Sequence, residues 1–469
     1  ACGGTLGEPR CRQGPIGLAT DNQSCRGNTF DSGCTQFVAD VSGRVEIQPM
    51  TGRLPRQAAV LCGGCGTRLR PYTDTTPKPL VEVANRPFLE HLLCQLAEQG
   101  IVRFVLMTGY LGEQIHEYFG TGSRWGWDIR YSHGPADWDT GRRVVEAAGL
   151  LDDSFVLLYS DNFAPVDLGV LADRHAATGR SQTLTLKPKT GGNVRYSPQR
   201  DVTAYDPTRS APGLDHVEIG YMLVERDPIL RMLEAVDGYP DVAFSDVLRA
   251  AAAVGELGGL ETGGAYCSVS DPIRLELTRD YFSTKKILLI DRDGTISRGL
   301  ARGQYVETWE QFEFVPETVQ AMRELADDGF EFIVITNQAG VALGVVEELE
   351  VDRIHANMTA ELSLLGITVL KVYMSPDHWD SGSLMRKPAP GMFHLASDEH
   401  RFRLDRVLYV GDDIRDCQAA AAAGCGMIFL ADATVEHDLP ASRHHQSVHE
   451  SLMGALEVIR TYYDGRSDS

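Results

Sequence analysis

From residue 57 onward, short apolar segments alternate with segments whose apolar residues recur at helical spacing. Ala58–Cys62, Val102–Thr108 and Phe155–Tyr159 have the length and composition of strands, and 87–99 has the pattern of a helix. Such alternation predicts a mainly parallel sheet with helices on both faces. The same scheme begins again at Lys286–Ile290. The predicted fold class is therefore α/β, with two doubly wound domains in succession.

Composition and pattern divide the chain into four segments. The opening segment is rich in Gly, Asn, Gln and Thr and shows no helical period. The later boundaries follow from the place where the strand–helix pattern restarts and from where it ends. The predicted segments are an extension of unknown role (1–56), a first domain (57–282), a second domain (285–435), and a C-terminal helix and tail (436–469).

Four cysteines crowd the opening segment. Eight residues separate the first two and eight separate the last two, a repeat that would suit a metal cluster. The pairs are nevertheless much wider than the short cysteine pairs of structural zinc sites, so a poorly ordered extension is the preferred interpretation. These cysteines are Cys2, Cys11, Cys25 and Cys34.

The formal net charge is −21 at pH 7. This charge argues against nucleic acid as a partner, because a phosphate backbone would be repelled. Nucleoside triphosphates and sugar phosphates need only a local basic pocket and a metal ion, so they remain candidate substrates. No apolar run approaches the length of a membrane span, and no n-region or h-region of a signal peptide is present. A cytoplasmic location without membrane partners is expected, and a homo-oligomer is compatible with the sequence.

The first predicted site follows the strand Ala58–Cys62. Glycines there let backbone N–H groups approach a polyphosphate, a hydroxyl and two cations can meet phosphate oxygens, and an aspartate at another strand end can hold Mg²⁺. One of the cations would neutralise the charge that develops on leaving pyrophosphate. In this order the residues are Gly63, Gly64 and Gly66, then Thr67, Arg68 and Lys78, then Asp161.

This part of the chain resembles the sugar-1-phosphate nucleotidyltransferases, whose fingerprint is G-G-x-G-T-R-L followed by K-P. The resemblance covers about residues 57–280 and implies a nucleotide-diphospho-sugar transferase-like mixed sheet. It also implies that Lys187 binds the sugar phosphate and that Glu218 and Gly220 lie in the sugar-binding strand. The implied reaction is attack by a sugar-1-phosphate oxygen on the α-phosphorus of a nucleoside triphosphate, with release of pyrophosphate.

One position departs from that family's pattern. A second metal-binding Asp is expected near the end of the domain, and Ser268 stands in its place, with Asp271 three residues further on. The run Trp138–Arg142 resembles a T-G-G-R stretch of the cytidylyl-transferring branch, which is a hint about the base.

The second predicted site follows the strand at Lys286–Ile290. Two carboxylates next to Mg²⁺ can divide the work: Asp291 would attack phosphorus, and Asp293 would protonate the leaving alkoxide and then activate water. Thr336 offers a hydroxyl and a backbone N–H to the phosphoryl group, and Lys387 would neutralise the charge of the nucleophile and the phosphate. Asp412 would complete the metal site with Asp291 and Asp293. A calcium loop is excluded, because no glutamate closes a twelve-residue loop.

This half, about 285–435, resembles the haloacid dehalogenase-like phosphatases, in the branch of histidinol phosphatase and heptose-1,7-bisphosphate phosphatase. The matching stretches are Thr336–Gly340 and Arg386–Gly391. The resemblance implies a Rossmann-like domain in which Arg386 contacts the substrate and Asn337 helps to position it. Members of the branch often carry a zinc loop, but only His378 could be a ligand in this chain, so no structural zinc is predicted.

Together the two sites predict a bifunctional enzyme of nucleotide-sugar biosynthesis that depends on Mg²⁺. The phosphatase would remove the distal phosphate of a heptose bisphosphate, and the nucleotidyltransferase would couple the resulting sugar 1-phosphate to a nucleoside triphosphate. Ser268 leaves open a second hypothesis, an active phosphatase for a histidinol-phosphate-like or sugar-phosphate substrate with a degenerate nucleotide-sugar-binding N-terminal domain. A third hypothesis, in which the first domain is only a binding or assembly module, predicts nucleotide affinity without turnover.

Overall fold

The computed structural model describes residues 35–39, 45–49, 53–199, 201–301, 303–434 and 437–465. The four N-terminal cysteines discussed above lie outside these residues. Near the N-terminus, β1 (Thr35–Ala39) pairs antiparallel with β2 (Val45–Pro49). None of the helices in the described ranges is both long enough and apolar enough to cross a lipid bilayer.

The first domain is built on a nine-stranded mixed sheet that contains most of its strands. In chain order the strands of this domain are β3 (Gln57–Cys62), β4 (Glu82–Val83), β5 (Arg86–Pro87), β6 (Arg103–Thr108), β7 (Asp128–His133), β8 (Ser154–Tyr159), β9 (Asn162–Phe163), β10 (Gln182–Pro188), β11 (Val194–Ser197), β12 (Asp201–Tyr205), β13 (His216–Glu225), β14 (Leu257–Glu261) and β15 (Cys267–Ser268). Four neighbouring strands of the sheet are parallel, in the order β8-β3-β6-β7. Next to them β13 pairs antiparallel with β8, and β10 pairs parallel with β14.

Helices cover both faces of this sheet. Along β3, Ala58 and Val60 contribute to one apolar core, whereas Ala59 and Leu61 contribute to the other, as expected for a strand that is buried on both sides. The helices are α1 (Phe88–Ala97), α2 (Gly112–Phe119), α3 (Thr140–Glu146), α4 (Leu168–Thr178), α5 (Arg226–Ala235), α6 (Phe244–Ala253) and α7 (Pro272–Phe282).

The second domain has a six-stranded sheet in which every neighbouring pair of strands is parallel. The strands are β16 (Ile287–Ile290), β17 (Glu331–Asn337), β18 (Val369–Ser375), β19 (Leu408–Gly411), β20 (Gly426–Leu430) and β21 (Gln446–His449). Their order in the sheet is β18-β17-β16-β19-β20-β21. The chain therefore adds β17 and β18 on one side of β16 and then β19, β20 and β21 on the other side. The helices are α8 (Pro316–Asp327), α9 (Glu348–Leu364), α10 (Gly391–His400), α11 (Ile414–Ala423) and α12 (Leu452–Asp464).

The structure confirms the predicted α/β fold class and refines the expected segments at their edges. Helix α7 extends to Phe282, so only residues 283–286 connect the two domains. Within the predicted C-terminal segment, β21 adds a sixth strand to the sheet, and Tyr463 of α12 is buried in the same core as Leu288. The apolar residues of that segment are isolated in the sequence, so the pairing of β21 with β20 was not predicted.

The domains pack directly against each other. Arg403 of the second domain lies over the rings of Phe163 and Phe282 in the first, at 5.1 and 4.9 Å from the ring centroids. Its guanidinium also donates to the carboxylate of Asp405 at 2.7 Å. The largely buried arginine therefore joins the two cores while its charge is compensated.

Candidate functional site

The glycine-rich loop of the first domain follows β3, at the point where the sheet changes crossover direction between β3 and β8. Ligands of open α/β sheets collect at such switch points. Asp161 follows β8 and therefore lies beside the loop. The loop continues into two short 3₁₀ turns, Thr67–Leu69 and Lys78–Leu80, which carry the predicted cations.

Two glycines of the loop are required by close packing. Gly66 has a φ of 59°, and a Cβ there would lie 3.0 Å from the Thr73 methyl group and 3.2 Å from the Lys78 Cβ. A Cβ on Gly63 would overlap the Arg143 guanidinium. Gly64, Thr67 and Arg68 are exposed, so this part of the loop is open to a ligand.

Lys78 and Asp161 meet directly. Lys78 Nζ donates to Asp161 Oδ2 at 2.5 Å, and both side chains are largely shielded from solvent. The predicted leaving-group cation and the predicted metal ligand are thus brought into one site. A divalent cation at Asp161 would compete with this ammonium, so we expect Lys78 to turn towards the phosphates when both are bound.

Arg143 supports the loop from below and was missed in the sequence. Its buried guanidinium donates to the carbonyls of Thr108 at 2.9 Å, Gly63 at 3.3 Å and Pro135 at 2.7 Å. Burial lowers the pKa of this group below its usual value. The neighbouring Arg142, which belongs to the predicted base-related run, instead lies 4.5 Å from the Trp138 ring centroid.

The predicted sugar-binding strand presents one carboxylate oxygen without a partner. Tyr205 donates to Glu218 Oε1 at 3.1 Å, whereas Oε2 is buried and has no partner among the described residues. Burial raises the pKa of Glu218 to about 7. A buried unsatisfied acceptor is costly, and a sugar hydroxyl would satisfy it.

Gly220 lies beside Glu218 and cannot carry a side chain. Its φ is 86°, and a Cβ would approach Asn162 Nδ2 to 2.6 Å. Asn162 follows Asp161, so the glycine allows the sugar-binding strand to come close to the predicted metal ligand. Lys187, the predicted sugar-phosphate ligand, donates to the Gly264 carbonyl and contacts Asp398 of the second domain.

Ser268, which replaces the expected second metal aspartate, is buried near Asp161. Its strand β15 pairs with β9, and Val269 N donates to the Asp161 carbonyl at 3.0 Å. Arg274 donates from Nη1 to Ser268 Oγ at 3.3 Å. Asp271 instead accepts from the Arg274 backbone N–H and caps α7.

The second site lies at the switch point between β16 and β19. Asp291 follows β16 and Asp412 follows β19, and the Asp291 backbone N–H donates to the Val410 carbonyl at 2.8 Å. Gly294 has a φ of 85°, and a Cβ there would overlap the Asp412 carboxylate. The glycine therefore lets the turn after Asp291 close onto Asp412.

Lys387 is the centre of this site. Its buried ammonium lies 2.7 Å from Asp291 Oδ1, 2.8 Å from Asp416 Oδ1, and 2.7 Å from the Tyr409 hydroxyl. Burial alone would lower the pKa of Lys387, but the carboxylates of Asp291 and Asp416 outweigh it and raise the pKa. The lysine is therefore charged and fixes the orientation of the predicted nucleophile.

Three carboxylates here could hold a metal ion. Oxygens of Asp291, Asp412 and Asp416 lie within 4.8 Å of one another. Burial, followed by the charge of Asp416, raises the pKa of Asp412 to about 7. Three carboxylates and one ammonium carry a net charge of −2 when all are ionised, which a hard divalent cation with oxygen ligands would balance. Asp416 was not predicted from the sequence.

Asp293 is held away from that group. Arg292 donates to both of its carboxylate oxygens, at 3.0 and 2.8 Å, and Gln338 donates to Oδ2 at 2.7 Å. The buried Arg292 also contacts His355 Nε2 at 2.9 Å. Burial, with the charge of Arg292, lowers the pKa of His355 to about 3, so the ring is a neutral acceptor. The arrangement suits an acid–base group better than a side-chain metal ligand.

The remaining predicted residues surround Lys387. Thr336 is buried and accepts from Gln338 at 2.8 Å. Asn337 donates to the Lys387 carbonyl and accepts from the Lys387 N–H, both at 3.0 Å, so its amide orients the lysine loop. Arg386 is nearly buried and donates to the Asp377 carbonyl at 3.0 Å.

The comparisons with known proteins show that each domain matches a different family model. Residues 57–195 match the family model described as Nucleotidyl transferase, and residues 286–432 match the one described as Polynucleotide kinase 3 phosphatase. The second domain is 33% identical over 140 residues to the D-glycero-beta-D-manno-heptose-1,7-bisphosphate 7-phosphatase of Bordetella bronchiseptica, covering 30% of this chain and 77% of that protein. The chain belongs to this phosphatase family. The predicted resemblance of the second half is thus confirmed.

The first domain is similar to several nucleotidyltransferases, including the following two. Hereafter the first domain is called the transferase domain and the second the phosphatase domain. Mannose-1-phosphate guanylyltransferase of Mycobacterium tuberculosis is 34% identical over 180 residues, covering 37% of this chain and 50% of that protein. D-glycero-alpha-D-manno-heptose 1-phosphate guanylyltransferase of Aneurinibacillus thermoaerophilus is 35% identical over 133 residues, covering 28% and 57%. The chain spans about half the length of these nucleotidyltransferases. The predicted resemblance of the first half to sugar-1-phosphate nucleotidyltransferases is confirmed, so each half resembles a different family.

Proposed function

We propose that the chain is a bifunctional enzyme that makes a nucleotide-activated heptose in two steps. The phosphatase domain removes the distal phosphate of a heptose bisphosphate, and the transferase domain couples the resulting heptose 1-phosphate to a nucleoside triphosphate. The observation that carries the proposal is the presence of two charged sites on one chain, Lys387 with Asp291 and Lys78 with Asp161. The names of the relatives supply the sugar.

In the phosphatase reaction, an Asp291 oxygen attacks phosphorus and the bond from phosphorus to the sugar oxygen breaks. Asp293, oriented by Arg292 and Gln338, donates a proton to the leaving alkoxide. It then accepts a proton from the water that hydrolyses the aspartyl phosphate, so phosphate leaves and Asp291 is restored. Mg²⁺ held by Asp291 and Asp412 would supply charge neutralisation for the phosphoryl group.

In the transferase reaction, an oxygen of the sugar 1-phosphate attacks the α-phosphorus and pyrophosphate leaves. The glycine loop and Thr67 bind the triphosphate, and Arg68 and Lys78 neutralise the charge on the leaving pyrophosphate. Lys187 binds the phosphate of the sugar, and Glu218 accepts a sugar hydroxyl. Asp161 would hold the Mg²⁺ that screens the phosphates.

The proposal is tested with the purified full chain, Mg²⁺, both anomers of heptose 1,7-bisphosphate and each common nucleoside triphosphate. Phosphate and pyrophosphate are measured separately. Asp291→Asn is expected to abolish phosphate release from the bisphosphate while pyrophosphate release from heptose 1-phosphate continues. Unchanged phosphate release in this variant would refute the phosphatase assignment, and absence of pyrophosphate with every nucleotide would refute the transferase assignment.

The finer assignments of partners and location also belong to this proposal. The substrates are a nucleoside triphosphate and sugar phosphates, with no nucleic acid. Nucleoside triphosphates are abundant in the cytoplasm, which supports a cytoplasmic location. A homo-oligomer remains a prediction that sedimentation of the purified chain would test.

A further inference from the structure

Helix α10 of the phosphatase domain connects the surroundings of the two sites. It begins at Gly391, four residues after Lys387, and it reaches the transferase domain at its C-terminal end. There the carboxylate oxygens of Asp398 lie 3.3 and 3.2 Å from Lys187 Nζ. Lys187 lies on β10 of the transferase domain, so this ion pair joins the two domains.

The helix packs closely on the same part of the transferase domain. His394 lies one turn before Asp398, on the same helix face. A Cβ on Gly263 would overlap the His394 ring, which shows how tightly the helix approaches. Burial, followed by the charge of Lys187, lowers the pKa of His394 to about 4, so the ring is neutral near pH 7. Of His394 and Asp398, only Asp398 therefore places a charge next to Lys187.

The lysine does not need Asp398 for its direction. Its ammonium also donates to the Gly264 carbonyl, within the transferase domain. Lys187 has a side chain that is 18% exposed, whereas that of Asp398 is 43% exposed. The aspartate can therefore turn into solvent while the lysine stays in place, and its contribution to the pair is charge.

We propose that Asp398 is a resident counter-ion of Lys187, which the phosphate of an incoming sugar 1-phosphate must replace. The phosphatase domain thereby sets the affinity of the transferase domain for its sugar substrate. A phosphate group binds the ammonium through charge-assisted hydrogen bonds and carries more charge than a carboxylate, so it wins this competition. The inference rests on the proposed function, because it takes Lys187 as the sugar-phosphate ligand.

The kinetic test compares Asp398→Asn with Glu399→Gln. Glu399 is the adjacent carboxylate on α10, and it pairs with Lys371 and Tyr373 inside the phosphatase domain. We expect Asp398→Asn to lower the KM for heptose 1-phosphate by roughly two- to fivefold, the range of a partly exposed ion pair. The kcat, the KM for the nucleotide and the phosphatase kcat/KM should stay unchanged. Asp398→Glu keeps the negative charge and should have the same KM for heptose 1-phosphate as the wild type.

A KM for sugar 1-phosphate that is unchanged or raised in Asp398→Asn would overturn the inference, as would an equal decrease in Glu399→Gln. A purely structural contact would instead alter kcat or both KM values together.

A second measurement separates this inference from the proposed function. The lysines of the full chain are methylated with ¹³C, and the Lys187 signal is assigned with Lys187→Arg. This signal should differ between the wild type and Asp398→Asn but not between the wild type and Glu399→Gln, and heptose 1-phosphate should titrate it at lower concentration in Asp398→Asn. If the Lys187 signal behaves in this way but no pyrophosphate is released, the inference is supported and only the transferase activity is refuted. Coincident signals in wild type and Asp398→Asn would overturn the inference.

Discussion

Lys78 Nζ lies 2.5 Å from Asp161 Oδ2, so the cation and the carboxylate of the proposed transferase reaction neutralise each other across the glycine loop. The loop reaches Asp161 because β3 and β8 are adjacent parallel strands whose carboxyl ends share one edge of the sheet. The pair therefore holds two flexible side chains in the site that they are proposed to serve.

Lys78→Met should abolish most pyrophosphate release. Removing one preorganised group that stabilises transition-state charge typically costs about 100-fold or more in kcat. Phosphate release by the phosphatase domain should not change, which serves as an internal control for folding. The rate of pyrophosphate release with heptose 1-phosphate and a saturating nucleotide is the measurement. A loss below tenfold would contradict the proposed role.

Asp416→Asn should weaken metal-dependent phosphatase activity. Asp416 contributes one of the three carboxylates near the metal site and contacts Lys387 at 2.8 Å. We expect at least about a tenfold loss in phosphate release and a higher Mg²⁺ concentration for half-maximal activity. Removal of divalent metal with EDTA should abolish phosphate release, and added Mg²⁺ should restore it.

Asp413→Asn is the matched control for that experiment. Asp413 is on the same turn, but it pairs with Arg415 and caps α11, a role that asparagine retains. An equal loss of activity in both variants would show that the turn, and not the Asp416 carboxylate, is what matters.

Arg143→Met should destabilise the transferase domain and the nucleotide site together. The substitution removes the charged donor of the buried Thr108 and Gly63 carbonyls, which costs roughly 3 kcal/mol. We expect a lower denaturation midpoint and a raised KM for the nucleotide, because Gly63 loses its support. Arg142→Met is the control, since its guanidinium lies over Trp138 instead of under the loop. Equal effects of the two substitutions would contradict the role of Arg143.

Motifs at strand ends were predictable because their chemistry is local. The glycine turns and the aspartates that follow β3, β8, β16 and β19 depend on a few consecutive residues and on the rule that parallel strands share an edge. Arg143 and Asp416 were not predicted, because their function depends on packing against segments that are distant in the chain. Asp398 depends on the packing of two domains, which no local pattern encodes.

Ser268→Asp should raise the metal affinity of the transferase site. Ser268 is buried on the strand beside Asp161, and Arg274 can compensate part of the added charge. We expect the Mg²⁺ concentration for half-maximal pyrophosphate release to fall by about three- to tenfold, since a second carboxylate joins the site. Ser268→Asn, of the same size without the charge, should not lower it. A decrease in both variants, or in neither, would contradict the explanation.

The pH dependence of stability should contain a contribution from Glu218. Burial raises its pKa to about 7, against about 4.5 for an unperturbed glutamate. Between these pH values the folded state binds a proton that the unfolded state has released, so the contribution of Glu218 to stability is largest below pH 4.5 and declines as the pH rises through 7. The decline amounts to about 3 kcal/mol at most. Glu218→Gln cannot titrate and should lose this part of the slope.

Denaturant unfolding of the wild type and Glu218→Gln between pH 5 and 8 measures that difference. Tyr205→Phe removes the hydroxyl that donates to Glu218 and favours its charged form, so the decline should extend to higher pH in this variant. Parallel stability curves for the wild type and Glu218→Gln would mean that Glu218 is ionised throughout this range. An ionised Glu218 would still accept from a sugar hydroxyl through its unpartnered oxygen, so this outcome would contradict the raised pKa and not the acceptor role.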